Sequence, residues 1–401
     1  MSENHSAASV QADLRASLGM CSVHSRRLME DPGPGPVMTT VVREGLAGAL
    51  SRLRDQTPIG PCPVCHAMSR ALDDARHLVL GALEHEAEAR RYGEHAGLCL
   101  DHVLALDGAA NPTSTKLVAQ RLLEGLCSAD TPTALELLAG ADDDVSRRAR
   151  WRGRLSEPLV VSSTVEQLCA RLGASACPVC VAAGLGERRY LDWFLECSRR
   201  DEPSLRTDPG ELCAAHLRDV AWQDPAGARY AVDRKRDVTM GALERLLDRL
   251  AQAPHPTGRR RQTNGEVSEH LRTTVSAVHQ CPACRARNTA EQRQLDLLDA
   301  ALSLTSVRAT YERSHGLCVH HTSQLTAGAS AQTARRVADG RVAVLAWEVA
   351  EIRRKYAWSC RHEPPGPEAD AWLRGLVQID GRVLLGAPAP TRGWADVEGR
   401  P

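Results

Sequence analysis

The chain has 401 residues, and its 50 basic side chains balance 50 acidic ones to a formal net charge of zero. This balance excludes a global electrostatic attraction to nucleic acid or anionic lipid, although local charged patches remain possible. Aromatic residues make up only 3% of the chain, and the abundant Ala, Leu and Val favour packed helices over β-sandwiches. We therefore predict an all-α protein.

The amino-terminal segment 1–18 is polar, and no uncharged apolar run approaches the roughly 20 residues that span a bilayer. These features predict a cytoplasmic protein that binds no membrane. Thiols stay reduced in that compartment, so the fourteen cysteines need an explanation other than disulfides.

The first motif in the chain is a CxxH sequence, Cys21 to His24, and a long amphipathic helix is predicted after it over Val37–Asp55. No CPxC motif precedes it. We interpret residues 1–58 as a partial repeat and its two potential ligands as a vestigial pair. Cys360 and His362 could complete a site there only if the two ends of the chain met.

Three fuller repeats follow, each with a CPxC motif and then a CxxH motif. The interval between the two motifs is 33, 32 and 33 residues, which is too constant for chance. The predicted repeats are 59–158, 159–265 and 266–401, the last including a carboxy-terminal tail. Their predicted ligands are Cys62, Cys65, Cys99 and His102 in the first repeat, Cys177, Cys180, Cys213 and His216 in the second, and Cys281, Cys284, Cys318 and His321 in the third.

Each repeat is predicted to contain the same helices. Apolar residues after Cys65 recur with helical spacing from Met68 to Leu83, which predicts a helix of about eighteen residues and a partly irregular return to the CxxH motif. The CxxH motif opens a short helix, and a longer one follows after a Pro/Gly loop. The longer helices are predicted near Thr113–Cys127, Gly227–Gln252 and Gln332–Trp358, and a last helix over Glu368–Val377.

Three thiols and one imidazole are the ligand set of a closed tetrahedral zinc site, so we predict about three zinc ions per chain, each holding one repeat of a helical array. Pro after the first Cys suits the first turn of a helix. Two helix amino termini would oppose the net negative charge of three thiolates on Zn²⁺. Iron is an alternative metal.

The CxxH spacing selects His321 over His320, and Cys127, Cys169 and Cys197 are predicted to be small core residues.

Two other functions remain open. The CPxC pairs could serve a thiol-based redox enzyme or a zinc-release sensor, although no βαβ pattern surrounds them. A nucleic-acid contact could use five arginines around Trp151, although three Asp residues precede them closely. These arginines are Arg147, Arg148, Arg150, Arg152 and Arg154. Common hydrolase and dehydrogenase signatures are missing, and full ligand sets leave no open metal position for catalysis.

The recurrent CPxC and Gly-Leu-Cys-x-x-His motifs, with the closing stretches 361–364, 371–374 and 379–381, resemble a family of uncharacterised bacterial proteins. The resemblance implies helical zinc-binding units and no settled activity. We therefore predict a zinc-binding helical repeat protein that acts as a non-catalytic adaptor or scaffold for an unidentified protein partner.

Overall fold

The computed structural model describes residues 7–29, 36–55, 58–94, 98–106, 112–140, 168–169, 172, 176–200, 205, 211–252, 281–325, 328–357, 359–360, 362–364 and 366–381. Every regular element in these ranges is helical, as the composition predicts. None of the helices described there is both long enough and apolar enough to cross a membrane.

The helices before residue 141 are α1 (Ala8–Ala16), α2 (Ser22–Met29), α3 (Pro36–Asp55), α4 (Pro63–Leu83), α5 (Glu86–Glu94), α6 (Leu100–Leu106), α7 (Pro112–Ser128) and α8 (Thr131–Ala139). Those after residue 176 are α9 (Pro178–Arg199), α10 (Ala214–Gln223), α11 (Pro225–Gln252), α12 (Pro282–Ala301), α13 (Thr305–Arg313), α14 (Val319–Thr322), α15 (Gly328–Lys355) and α16 (Ala371–Ile379), with a 3₁₀ turn at Pro367–Asp370 before the last helix. The four long helices α3, α7, α11 and α15 begin and end within a few residues of their predicted bounds.

The three CPxC helices α4, α9 and α12 each begin at the proline of the motif, as predicted. Proline is tolerated there because the first turn of a helix has no acceptor for its missing N–H. The first Cys of each motif precedes the helix, and its carbonyl oxygen accepts the first helical hydrogen bond, for example from Arg285 N to Cys281 O. The motif therefore places both thiols in the opening turn of a long helix.

The chain forms two compact units, and each combines segments from different predicted repeats. The first unit contains Met1–Met68, Asp144–Gly186 and Arg287–Pro401, and the second contains Ser69–Asp143 and Glu187–Ala286. The boundaries of the sequence repeats stay a prediction.

In the first compact unit, α3 packs along both α1 and α15. Its core includes the fully buried Val42, Leu46 and Leu345. The approach of α1 to α3 is so close that a Cβ atom at Gly48 would lie 1.9 Å from the Arg15 carbonyl oxygen. Glycine at this position therefore allows the two backbones to touch.

In the second compact unit, α7 and α8 pack against α11, and α10 contacts both α8 and α11. Leu122, Leu126, Leu217 and Leu243 are fully buried in its core. Phe194 from the end of α9 joins the same cluster. Aliphatic helix packing, predicted from the composition, thus forms the core here as well.

The helix α4 has the predicted extent, but most of its apolar stripe is exposed. Met68 is 53% exposed and Leu78 is 75% exposed, whereas Leu83 at the end of the helix is buried. Helical periodicity therefore identified the element without identifying a core face.

Candidate metal centres

The first candidate centre, which we call the amino-terminal group, consists of Cys21, His24, Cys62 and Cys65. The Nδ1 atom of His24 lies 3.2 Å from Cys21 Sγ, 3.7 Å from Cys62 Sγ and 3.4 Å from Cys65 Sγ. The sulfurs of Cys21 and Cys65 are 3.7 Å apart. Cys65 is exposed and the other three residues are half-buried, so this centre lies at the surface.

The second centre, the buried group, consists of Cys177, Cys180, Cys318 and His321. The Nδ1 atom of His321 lies 3.5, 3.3 and 3.2 Å from the three sulfurs in that order. Cys180 Sγ and Cys318 Sγ are 3.8 Å apart. All four side chains are at most 1% exposed. The spacing also selected the correct histidine, because His321 faces the sulfurs.

The third centre, the mid-chain group, consists of Cys213, His216, Cys281 and Cys284. The Nδ1 atom of His216 lies 3.1, 3.4 and 3.5 Å from the three sulfurs in that order. Cys213 Sγ and Cys284 Sγ are 4.0 Å apart. His216 and Cys281 are buried, and the other two residues are half-buried.

These distances match the edges of a coordination tetrahedron. A metal bound tetrahedrally to sulfur at about 2.3 Å and nitrogen at about 2.0 Å separates two sulfurs by about 3.8 Å and sulfur from nitrogen by about 3.5 Å. The sulfur–sulfur separations of 3.7, 3.8 and 4.0 Å lie close to that value. Each group can therefore hold one metal ion with four protein ligands.

Each group joins the first turns of two helices. Cys213 and Cys318 cap α10 and α14 with extended backbone, at φ −67°, ψ 166° and φ −63°, ψ 162°. Neither thiol makes a capping hydrogen bond. The sulfurs can therefore serve as ligands, and the helix amino termini favour negatively charged thiolates there.

A carboxylate contacts the outer nitrogen of the histidine in two groups. Glu291 Oε1 lies 3.2 Å from His321 Nε2, and Glu187 Oε1 contacts His216 Nε2. The hydrogen bond between His216 and Glu187 fixes the tautomer of His216, so that Nδ1 is available to a metal, and Glu291 lies at ion-pair distance from His321. Neither glutamate was among the predicted site residues, although each is the tenth residue after the first Cys of a CPxC motif. The corresponding residue after Cys62 is Leu72.

The pKa values describe the charge balance in the centres. Interaction with His321 lowers the pKa of Glu291 to about 2, against the opposing effect of burial. Burial lowers the pKa of His216, but its contacts with Cys281 and Glu187 outweigh burial and raise it to about 10. A hydrogen bond from Cys213 lowers the pKa of Cys281 to about 3. The mid-chain group thus favours a thiolate, the form that binds metal, at Cys281, whereas the hydrogen bond with Cys281 raises the pKa of Cys213.

The predicted pairing of each CPxC with the CxxH that follows it is wrong. Cys62 and Cys65 meet the preceding CxxH at Cys21, and Cys281 and Cys284 meet the preceding CxxH at Cys213. The remaining CPxC, at Cys177, meets the last CxxH of the chain, at Cys318.

The return path of the chain explains this difference. The return after α12 contains a further helix, α13, which covers less distance per residue than extended chain. His321 consequently reaches Glu291, ten residues or about 15 Å along α12 from Cys281. The chain therefore returns to the middle of the CPxC helix and not to its beginning.

Cys21 and His24 are not an isolated pair, because they lie with Cys62 and Cys65 and are two of the four potential ligands of the amino-terminal group. The isolated pair is instead Cys99 and His102. Cys99 Sγ lies 3.2 Å from His102 Nδ1, but among the described residues no third Cys, His, Asp or Glu ligand atom joins them. Ten of the twelve predicted ligands thus lie in the three groups.

The other cysteines divide by exposure. Cys197 is buried as predicted, Cys169 is half-buried, and Cys127 is exposed, so the core prediction for Cys127 is wrong. The arginine cluster of Arg147, Arg148, Arg150, Arg152 and Arg154 lies outside the described residues, and its nucleic-acid role stays a prediction.

No curated protein and no solved structure matches this chain. A family model does match the part of the chain that contains all the ligands of the buried and mid-chain groups. This agrees with the resemblance to uncharacterised proteins. Residues 170–358 match a family of unknown function, DUF6062.

Proposed function

We propose that the protein is a non-catalytic helical scaffold in which three zinc ions hold distant segments of the chain together. The observation that carries this proposal is the occurrence of three Cys₃His groups with the separations of a zinc tetrahedron. Thiolate and imidazole donors favour zinc over magnesium or calcium, which prefer oxygen ligands.

The ligand count supports a structural role over catalysis. Catalytic zinc retains a position for water or substrate, whereas each of these groups offers four protein donors. Three thiolates around Zn²⁺ carry a net charge of −1, which the amino termini of two helices offset. Zinc would therefore be held tightly and away from substrate, as in a structural site.

The position of the ligands in the chain explains what zinc would contribute to folding. The buried group joins Cys177 to Cys318, which is 141 positions later, and so ties the start of α9 to α14 and α15. Metal binding to such a set contributes folding free energy directly, because an unfolded chain has no preformed site. A reducing cytoplasmic compartment suits this role, since it keeps the thiols available as ligands.

Exposed apolar side chains on α4 support a scaffold that binds another protein. Met68 and Leu78 are more than half exposed, and Leu72 between them is 38% exposed. A helical partner that covered these side chains would remove apolar surface from water.

Metal analysis of the full chain tests the proposal. We expect three zinc ions per chain after purification without added metal, and loss of helical circular dichroism when a chelator removes them. The Cys127→Ser variant is the matched control, because this thiol is exposed and lies outside the groups. A chain that folds normally with no bound metal would contradict the proposal.

A zinc-release sensor is a second candidate for the amino-terminal group alone. Cys65 is exposed there, whereas all three thiols of the buried group are shielded from solvent. Mild peroxide should then release one zinc per chain, and Cys65→Ser should abolish that release. Simultaneous release of all three ions would contradict a sensor role for this group.

A further inference from the structure

Two segments of the chain, 62–106 and 281–325, fold alike. Cys99 follows Cys62 by 37 positions, and Cys318 follows Cys281 by the same number. In both segments a CPxC helix is followed by a nine-residue helix, α5 or α13, before the CxxH motif.

A tyrosine marks the same point in both segments. The Leu98 N–H donates to Tyr92 Oη at 3.3 Å, and the Leu317 N–H donates to Tyr311 Oη at 3.0 Å. The following Cys Sγ and His Nδ1 are 3.2 Å apart in each segment, at Cys99 and at Cys318. The two CxxH motifs thus present sulfur and nitrogen with the same separation.

The two segments, which we call the open copy (62–106) and the enclosed copy (281–325), differ in burial. Tyr311, Leu317, Cys318 and His321 are all fully buried. The counterparts Tyr92, Leu98 and Cys99 are half-buried, and His102 is exposed. The same ligand pair is therefore enclosed in one copy and open to solvent in the other.

The first turn of a CPxC helix, α9, covers the ligand pair of the enclosed copy. Cys177, Val179 and Cys180 pack in the same buried cluster as Leu317 and Cys318. The two thiols among them complete the metal group. What the open copy lacks is thus a dithiol in the first turn of a helix.

The chain itself has no such dithiol to spare. Its three CPxC motifs, at Cys62, Cys177 and Cys281, each take part in a group already described. No CPxC precedes Cys21 in the printed sequence. A CPxC dithiol for the open pair would therefore come from another molecule.

We propose that Cys99 and His102 form half of a fourth zinc site, which a partner protein completes with a CPxC pair at the start of a helix. This proposal rests on zinc binding by the three complete groups. The site forms when Cys99 and the two partner thiols release their protons to water and bind Zn²⁺ as thiolates. The occupant is a CPxC helix because that element covers the equivalent pair in the enclosed copy.

The exposure of α4 in the segment 62–106 supports a helical partner. The residue of α4 that corresponds to the fully buried Leu298 of α12 is Val79, and it is only half-buried. Leu78 beside it is 75% exposed. Val79 already packs against the core of its own unit, so Leu78 is the side chain that a partner helix could cover, which would add apolar contact to metal binding.

A second copy of this chain is the competing occupant. Its complete groups engage all of its CPxC pairs, so among the motif residues that the structure describes it would offer its own Cys99 and His102. Two copies would then share one metal in a Cys₂His₂ site, and the product would be a dimer without any partner.

A cobalt titration with a defined probe tests the proposal. The full chain is loaded with Co²⁺ in place of zinc. Cobalt is chosen because tetrahedral cobalt–thiolate sites absorb visible light, so that each added ion can be counted. The probe is a synthetic peptide of residues 176–199, which contains the CPxC motif of Cys177 and Cys180 near its amino terminus. The control peptide carries Ser in place of Cys177 and Cys180 and keeps Cys197, and the natural probe with cobalt alone gives the background.

We expect three cobalt ions per chain without the probe and a fourth with it, at one probe per chain. The control peptide should add no ion. Cys99→Ser and His102→Gln should each weaken probe binding at least tenfold while retaining the first three ions, whereas Cys127→Ser should change nothing. The control peptide keeps the test valid with the natural chain even if a variant fails to fold.

Three ions with or without the probe would overturn the fourth site and leave the proposed function intact. Without the probe, uptake of an additional half ion of cobalt per chain together with dimer formation would overturn the partner proposal in favour of a site shared by two chains. Fewer than three ions without the probe would contradict the proposed function itself.

Discussion

The buried group and the amino-terminal group have the same four ligand types but different surroundings. His321 contacts a carboxylate from Glu291, and every ligand of its group is enclosed. The amino-terminal group lies at the surface, with Cys65 exposed. Identical ligand types can therefore contribute differently, because burial decides how much of the fold depends on the metal and how readily reagents reach it.

Breaking each group in turn gives the largest expected difference. Cys318→Ser should remove one zinc and lower the free energy of unfolding by more than about 4 kcal/mol, because it leaves buried thiols without their metal. Cys21→Ser should also remove one zinc but lower it by less than about 2 kcal/mol, because water can solvate the remaining ligands. Urea unfolding followed by circular dichroism, with zinc analysis, measures both. Equal losses would contradict the importance of burial.

Removal of the outer carboxylate tests its part in the buried group. Glu291→Gln should weaken zinc binding by about 10-fold to 100-fold, because His321 loses the negatively charged partner that orients its ring. Competition with a chelator of known affinity measures this change. Glu244→Gln replaces an exposed glutamate of α11 and serves as the control. An unchanged affinity in Glu291→Gln would show that the contact plays no part in metal binding.

A single methyl group should perturb the buried group from outside. A Cβ atom at Gly381 would lie 2.8 Å from Cys180 Sγ and 3.1 Å from Cys177 Cβ. Gly381→Ala should therefore lower the free energy of unfolding by about 1–3 kcal/mol. In α15, Gly340→Ala meets no atom within 4 Å and should be neutral or stabilise by about 0.5–1 kcal/mol. Thermal unfolding compares the two, and equal effects would contradict the close packing at Gly381.

The smallest effect is expected on the exposed face of α4. Leu78→Ser should change the free energy of unfolding by less than about 0.5 kcal/mol, because the side chain is already exposed. Leu298→Ser, at a fully buried position of α12, should lower it by more than about 2 kcal/mol. Urea titration measures both, and a large loss in Leu78→Ser would show that this face is covered within the chain.

Local sequence signals predicted much of this structure. The proline of each CPxC motif marked the beginning of a helix, and apolar spacing gave the bounds of α3, α7, α11 and α15 within a few residues. These features depend on neighbouring residues only, through capping and helical periodicity. The ligand types were recognisable for the same reason.

The pairing of the ligands was not predictable from spacing. The nearly constant interval between CPxC and CxxH fixes the number of residues that connect the two motifs. Which CPxC a CxxH motif meets depends on how far the connecting residues, including α13, carry the chain back along the CPxC helix. The contact between His321 and Glu291 shows that the return ends at the middle of α12. The exposure of the apolar stripe on α4 was equally unpredictable, because periodicity identifies an apolar face without identifying what covers it.

The most direct test of three zinc ions, each held by three sulfurs and one nitrogen, is zinc K-edge X-ray absorption of the purified chain combined with elemental analysis. We expect three zinc ions per chain, with an average of three sulfurs at about 2.3 Å and one nitrogen at about 2.0 Å from each ion. Fewer than three ions, or a coordination shell dominated by oxygen, would contradict it.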